Sequence, residues 1–405
     1  MLSLDDVRAL GLAGPTAVRP ALDPHSTATI MYTSGTTGNP KGCQISHANW
    51  RAMLDAIEEI GSLGPGSVVY VYLPLAHMFT RMVQIVALEL GATMAYSGGD
   101  IRRVIDELAA VRPTHLPSVP RLFEKVYAVV TTAVGATADP GPDLRQAVRA
   151  AFGGRVEQAL TGAAPIAPEI LEFFAACGVP IYEAYGMTEA TAVITANRPG
   201  AVKFGTVGQP VTGVEVRITA DGEVCSRSAG TFTGYWSNPE ATAELVIDGW
   251  LHTGDLGALD EDGYLRITGR KKDIIITAAG KNLTPANLET ELRRSRWISH
   301  AVMCGDRRPH PVVLITLDAE ELLPWAAERG LGEDLAALSR LPAVHDLVRA
   351  ALDEANARYA PPERIRDFAV LPNDFSIDAG ELTPTLKIKR AVITARYADV
   401  VDGLY

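Results

Sequence analysis

One stretch, Thr27-Ala28-Thr29-Ile30-Met31-Tyr32-Thr33-Ser34-Gly35-Thr36-Thr37-Gly38-Asn39-Pro40-Lys41-Gly42, carries residues that could hold a phosphate. It opens with β-branched and apolar residues, as a buried strand would. It then breaks into small hydroxylated residues and glycines, closed by Pro40 and Lys41. Backbone N–H groups and hydroxyls in such a loop approach phosphate oxygens closely, and Lys41 adds a point charge. The string is not the GxxxxGK[ST] loop, because Pro40 stands where the glycine before the lysine should be.

A second stretch, Ile181-Tyr182-Glu183-Ala184-Tyr185-Gly186-Met187-Thr188-Glu189, reads as a strand end running into glycine and then Thr-Glu. A glutamate beside a nucleotide is a natural Mg²⁺ ligand, and an aromatic ring before a glycine can stack on a base. Taken alone, the pair reads more plainly as a capped helix start with a solvated Glu189. Thr161-Gly162-Ala163-Ala164-Pro165-Ile166 is small and apolar, suited to backbone passing close to a ligand. His77 sits in an apolar setting, Pro74-Leu75-Ala76-His77-Met78-Phe79, where a satisfied core histidine is the plain reading. Asp255, in Trp250-Leu251-His252-Thr253-Gly254-Asp255, could cap local N–H groups at a tight turn. Near the C-terminus, strand-like alternation in Leu382-Thr383-Pro384-Thr385-Leu386-Lys387-Ile388-Lys389-Arg390 puts Lys387 and Lys389 on one side, so spacing does not choose between them.

These groups need a scaffold, and the pattern predicts an α/β one. Ser46-His47-Ala48-Asn49 can cap a helix running to about residue 60. A strand over 68–73, a helix over 79–90, a strand from 91–96, a helix over 101–111 and another from 118 follow. That alternation indicates a parallel layered sheet. Residues 135–142 read as a turn-rich loop, and from 147 the α/β rhythm resumes to about 195. Residues 205–268 change to short strands with Asp-Gly turns at 221–222 and 262–263, a β-rich subdomain. After the charged run Arg270-Lys271-Lys272-Asp273, Thr284-Pro285 opens a helix. Strands at 301–304, 312–317 and about 368–371 then make a small α+β domain. The expected boundary is 269–272, dividing a domain over 1–268 from one over 269–405.

At 405 residues the chain exceeds one ordinary core. A mean hydropathy of +0.09 fits a packed globule. The 37 basic residues against 48 acidic ones, net −11, argue against a general nucleic-acid binder. Cys43, Cys177, Cys225 and Cys304 are scattered without CxxC or metal spacing, which fits reduced thiols in the cytoplasm. The first residues show neither a basic nor an apolar leader segment, so no signal peptide is expected. No apolar run reaches membrane-span length.

The first string closely resembles the phosphate loop of the adenylate-forming superfamily: acyl-CoA synthetases, acyl-AMP ligases, luciferases and peptide-synthetase adenylation domains. The later motifs follow in that family's order. The resemblance implies a nucleotide-binding loop at Thr33, Ser34, Gly35, Thr36, Thr37, Gly38 and Lys41. It implies a segment lining adenine and acyl chain at Gly162, Ala163 and Ala164, and an adenine-stacking Tyr185 before Gly186. Thr188 would contact phosphate and Glu189 would bind the metal. Asp255 would hold the ribose hydroxyls, Arg270 would make a second ribose or phosphate contact, and His77 would sit at the carboxylate end of the acyl pocket. Lys272 falls at the hinge about which the small domain rotates. Family matching selects Lys387 as the lysine acting on carboxylate and α-phosphate. The strings Ser118-Val119-Pro120-Arg121-Leu122-Phe123-Glu124-Lys125, Gly234-Tyr235-Trp236, Gly269-Arg270-Lys271-Lys272-Asp273 and Leu382-Thr383-Pro384-Thr385 are most similar to bacterial long-chain fatty-acid–CoA ligases. ATP, Mg²⁺ and CoA are the implied cofactor and co-substrates. A carrier protein is the alternative acceptor.

Three features depart from the family pattern. About 25 residues precede the loop, where family members carry a large extra lobe, and Gly222-Glu223-Val224-Cys225-Ser226-Arg227-Ser228 lacks the usual glycine-rich continuation. The region 131–150 is also short. These departures raise two further possibilities, a truncated nucleotide-binding protein and a chain completed by a partner lobe or a second copy.

Overall fold

The computed structural model describes residues 3–14, 21–33, 40–58, 60–61, 63–134, 140–383 and 387–405. Ser34, Gly35, Thr36, Thr37 and Gly38 of the candidate loop lie outside the described residues.

The expected layered sheet is present as seven strands. Five run parallel, in the spatial order Thr93–Tyr96, Val68–Val71, His115–Ser118, Gln158–Thr161 and Ile181–Tyr185. Thr195–Ala196 and Gln209–Pro210 extend it antiparallel. Alternate side chains of a strand point to opposite faces. Accordingly Val69 and Val71 enter one core with Met53, Met82 and Ile194, while Tyr70 enters another with Leu108, Leu116, Phe123 and Phe174. Both faces are thus covered by helices, as parallel strands require. Ser46 accepts from the Asn49 amide, so the helix His47–Glu58 starts with the expected cap.

Three elements differ from expectation. Thr27–Thr33 is a strand, but of its residues only Met31 is buried, and Tyr32 is 64% exposed. The strand lies at the edge of a separate antiparallel sheet whose middle strand, Lys41–Ser46, holds the fully buried Cys43 and Ile45. The lead-in also contains a helix, Leu4–Ala13, opened by a Ser3/Asp6 capping box. The α/β rhythm resumes at helix Pro142–Ala151, earlier than residue 147, because Pro142 is tolerated at the first helical position.

The β-rich part pairs Glu215–Ile218, Glu223–Arg227, Trp250–Leu259 and Val246–Ile247, with Leu265–Arg270 also on Trp250–Leu259. Gly222 and Gly263 occupy positive φ at the two Asp-Gly turns, +84° and +79°. The ladder pairs Cys225 with His252 but Glu223 with Leu256. Thr253, Gly254 and Asp255 therefore bulge out opposite Val224, with Gly254 at φ +71°. Such bulges re-aim side chains beside functional sites.

Beyond Arg270, Ile298–Cys304, Val312–Leu317 and Asp367–Val370 form a three-stranded sheet with its own cores. Val313 and Ile315 pack with Leu292, Val344 and Val348, while Val312 and Leu314 pack with Phe375 and Ile393. Ion pairs join this part to the rest: Arg121 to Asp318 at 2.5 Å, Lys125 to Glu320, and Arg358 to Glu169 at 2.9 Å. No helix among the described residues is long and apolar enough to cross a membrane.

Gly208 joins the sheet to the β-rich part, its carbonyl accepting from the Leu265 amide. Its φ is +83°, and an added Cβ would lie 1.9 Å from the Ala196 carbonyl carbon. Gly208→Ala should therefore destabilise the protein by about 2–4 kcal/mol through backbone strain and overlap. A thermal melt unchanged from wild type would contradict this packing.

Candidate active site

Tyr185 ends the last parallel strand, and its hydroxyl donates to Asp255 Oδ2 at 2.7 Å. Arg270, cross-strand from Asp255, places Nε 2.9 Å from Oδ1. Burial first, and then the Asp255 charge, hold the Tyr185 phenol well above its ordinary pKa, so it stays a donor. The bulge and the Trp250–Leu259/Leu265–Arg270 ladder thus set one buried carboxylate between a tyrosine and an arginine.

Gly186 follows where only a glycine fits, since a Cβ there would lie 1.7 Å from the Ala192 carbonyl oxygen. The chain then turns through Thr188–Ala190, with Thr191 and Ala192 at φ +51° and +92°. This tight turn carries Glu189 inward. Glu189 is buried and accepts the Tyr235 hydroxyl through Oε1 at 2.6 Å, which overturns the plain reading of a solvated carboxylate. Lys41 Nζ lies 5.0 Å from the centroid of the Tyr235 ring. The buried Cys43 thiol is pushed far up by desolvation and then by the Glu189 charge, so it is no nucleophile here. Thr33 Oγ1 donates to the Lys41 carbonyl at 3.4 Å, closing the base of the first stretch.

Gly162 follows strand Gln158–Thr161, and a Cβ there would lie 2.9 Å from the Ala184 carbonyl oxygen. Ala163 takes φ +68°, a strained value for a residue with a Cβ, and Ala163 and Ala164 are exposed. His77 caps helix Met78–Glu89, accepting from the Phe79 amide. Burial and then the Lys387 charge push its pKa down to about 4, so it is neutral near pH 7.

Lys387 does not belong to a strand. Leu382 and Ile388 form an isolated antiparallel bridge, and Lys387 N donates to Thr383 Oγ1 at 3.0 Å. Lys389 instead precedes helix Arg390–Arg396, its amide bonded to the Glu381 carbonyl. The expected alternation therefore fails, because Lys387 lies in no strand and Lys389 already caps a helix that starts at Arg390. The Lys387 ammonium has its pKa lowered by burial and then by Arg270, with Asp255 and Glu189 opposing the shift. Lys272 is lowered by the same causes, burial and then Arg270. Lys387, Arg270 and Lys272 keep solvent-accessible side chains although protein crowds them, as groups in an open cleft do. A cavity of about 330 Å³ at this place is lined by Thr253, Gly254, Arg270, Lys271 and Lys272.

The structure thus brings together Lys41, Tyr185, Glu189, Asp255, Arg270, Lys272, His77 and Lys387. Tyr235 was missed as a site residue. Gly234-Tyr235-Trp236 marks its place in the sequence, but only the fold shows its ring meeting Glu189.

The geometry has its counterpart in known families. Residues 4–236 match the model of the AMP-binding enzyme, and residues 272–405 match the AMP-binding enzyme C-terminal domain. The chain belongs to the AMP-binding enzyme family. A long-chain-fatty-acid–CoA ligase of Mycobacterium bovis is 38% identical over 96% of this chain and 71% of its own length. Long-chain-fatty-acid–CoA ligase 1 of Cavia porcellus is 34% identical over 100% of this chain and 64% of its own length. The adenylation domain of a carboxylate reductase from Mycobacterium chelonae shares the fold, with a TM-score of 0.81 at 24% identity. That match covers 99% of this chain and 64% of the solved one. This AMP-binding enzyme is therefore an α/β protein of the layered kind expected, with relatives among fatty-acid ligases.

Tyr235→Phe leaves the buried Glu189 carboxylate one donor short. It should cost about 1.5–3 kcal/mol, the usual worth of a hydrogen bond to a charged group. Most of that loss should vanish when Glu189 is already Gln. A double-mutant cycle by chemical denaturation checks the coupling, and strictly additive losses would refute it.

Proposed function

We propose that this chain activates a long-chain fatty acid with ATP and transfers the acyl group to CoA. The observation that carries the reading is that Lys387, from the last part of the chain, lies within electrostatic range of Arg270, Asp255 and Glu189, with Arg270 bonded to Asp255. The division at 269–272 belongs to the same proposal, with Lys272 as the hinge between the two catalytic half-reactions.

In the first half-reaction a carboxylate oxygen of the fatty acid attacks the α-phosphorus of ATP. A P–O bond forms, pyrophosphate leaves, and acyl-AMP results. Negative charge builds on the phosphoryl oxygens, and the Lys387 ammonium offsets it in a partly desolvated cleft. Thr188 and the 33–41 loop with Lys41 hold the phosphates, Asp255 and Arg270 the ribose, and Tyr185 with Gly162, Ala163 and Ala164 the adenine. His77, neutral near pH 7, presents a dipole rather than a charge to the acyl carboxylate. The donor set fits the remaining partner of such chemistry. Glu189 is a buried carboxylate, and a hard cation takes one or two of these plus phosphate oxygens. Mg²⁺ bound there neutralises phosphate charge. In the second half-reaction the CoA sulfur bonds to the acyl carbon, the acyl–phosphate bond breaks, and AMP leaves. The thiol proton goes to solvent. The four cysteines are free and buried, which supports a reducing compartment such as the cytoplasm.

Carboxylate-dependent ATP–pyrophosphate exchange on the 405-residue chain tests the reading. Exchange should peak with long-chain acids and fall at least about 100-fold in Lys387→Ala, with ATP still bound. Folded protein that binds ATP without exchanging would refute autonomous adenylation and favour completion by a partner lobe. Product analysis with CoA and with a carrier protein then separates the two acceptors.

A pH profile gives a second check. The Lys387 pKa is lowered, so its ammonium is lost earlier than a free lysine's as pH rises. Exchange measured at sub-saturating ATP, which reports the ligand-free protein and needs no CoA thiol, should decline on the alkaline side below the 10.5 of an unperturbed lysine. A decline centred at or above that value would count against Lys387 as the acting charge.

A further inference from the structure

The adenylation reading does not use a cluster of chemically capable side chains in the β-rich part. Glu223 and Cys225 stand two residues apart on strand Glu223–Arg227, so they project from the same face. His252, on the neighbouring strand, is the cross-strand partner of Cys225. Their donor atoms, one oxygen, one sulfur and one nitrogen, all lie within 4.8 Å of one another. Spacing along the chain conceals the cluster, since antiparallel pairing brings residue 252 to residue 225.

The geometry separates two readings. A Cys–His–Glu relay needs the thiol on one ring nitrogen and the carboxylate on the other. Here His252 Nδ1 faces both, with Glu223 Oε2 at 3.2 Å and Cys225 Sγ at 3.4 Å. Donors converging on one point are what a metal ion requires. Tetrahedral zinc with ordinary ligand bonds sets N–O and N–S separations of roughly 3.3–3.6 Å. The two pairs to His252 Nδ1 are already near that spacing. We propose that Glu223, Cys225 and His252 form a site for a zinc-class divalent cation.

The mixed sulfur, nitrogen and oxygen set fits a borderline-soft ion and does not suit Mg²⁺ or Ca²⁺, which take oxygen ligands. This site is therefore chemically distinct from the one at Glu189. Two cations neighbour the cluster, and each has another place to rest. Lys271 Nζ lies 3.3 Å from Glu223 Oε2 but 2.6 Å from Asp221. Arg217, whose charge lowers the pKa of the Cys225 thiol against the larger effect of burial, stacks its guanidinium 4.1 Å from the Trp250 ring centroid. Glu223 Oε1 accepts from the Gly254 amide at 2.9 Å, which holds the carboxylate in place as Oε2 ligates. On binding, Cys225 gives its proton to solvent, and Lys271 moves from Glu223 to Asp221.

The test uses the full chain, stripped with a chelator and titrated with Co²⁺ alone. A near-ultraviolet thiolate-to-cobalt absorption should grow to one ion per chain and disappear on adding Zn²⁺. It should be absent in Cys225→Ser and in His252→Gln, and retained in Cys177→Ser. Zinc-edge X-ray absorption of wild-type protein should show one sulfur neighbour, and this measurement stands even if Cys225→Ser fails to fold. No thiolate band in wild type, a band that survives Cys225→Ser, or a zinc shell of light atoms only would each overturn the proposal.

Discussion

A buried carboxylate has to be paired, and the arrangement of this site follows from pairing Asp255. Its oxygens take the Tyr185 hydroxyl and the Arg270 guanidinium. Tyr185 comes from the end of the parallel sheet, Asp255 from a bulge, and Arg270 from the last strand before the chain enters its C-terminal part. Leaving that carboxylate unpartnered would cost several kcal/mol, so the three elements hold one mutual position. Arg270 is half exposed, which screens its share, and the enclosed Tyr185 hydroxyl is the firmer tie.

A second carboxylate is held by the same device. Glu189 leaves the parallel sheet through a strained turn and takes the hydroxyl of Tyr235, which belongs to the three-stranded antiparallel sheet. That sheet also carries Lys41, above the same ring. Each tyrosine joins a different sheet to the end of the parallel one, so the first stretch and the 250–270 region are indexed to a common edge. Both phenols have raised pKa values through burial followed by the adjacent carboxylate charge, which keeps them protonated and donating.

How much of this was legible in the sequence depended on the range of the interaction. Ser46 capping its helix, the Asp-Gly turns at Gly222 and Gly263, and the strand that begins at Val68 are local, and each was readable from neighbouring residues. Which carboxylates matter was readable only through motif order and family likeness, because Thr-Glu and Gly-Asp pairs are common by themselves. The meeting of Tyr235 with Glu189, 46 residues apart, was not readable, since no local pattern encodes a contact between sheets. The exposed face of Thr27–Thr33 was misread for the same reason. Burial depends on which sheet a strand joins, and an apolar run does not say. Lys387 and Lys389 separate because a helix start at Lys389 replaces the alternation that two residues of spacing suggest.

The cleft is electrostatically prepared for an anion. Lys387 and Lys272 both have lowered pKa values, each through burial and then the nearby Arg270, and Lys41 adds to the repulsion on Lys272. Cations assembled in this way raise one another's free energy, and a polyphosphate entering among them relieves that repulsion. The relief is greatest where charge is still increasing, which in the proposed chemistry is at the phosphoryl group under attack. The cost of holding Lys387 among these charges falls on contacts between the two parts of the chain: Arg121 with Asp318, Lys125 with Glu320, and Arg358 with Glu169. These pairs are largely exposed, and exposed pairs contribute little each. In the proposed chemistry such weak pairs are ones the C-terminal part can exchange between the two half-reactions.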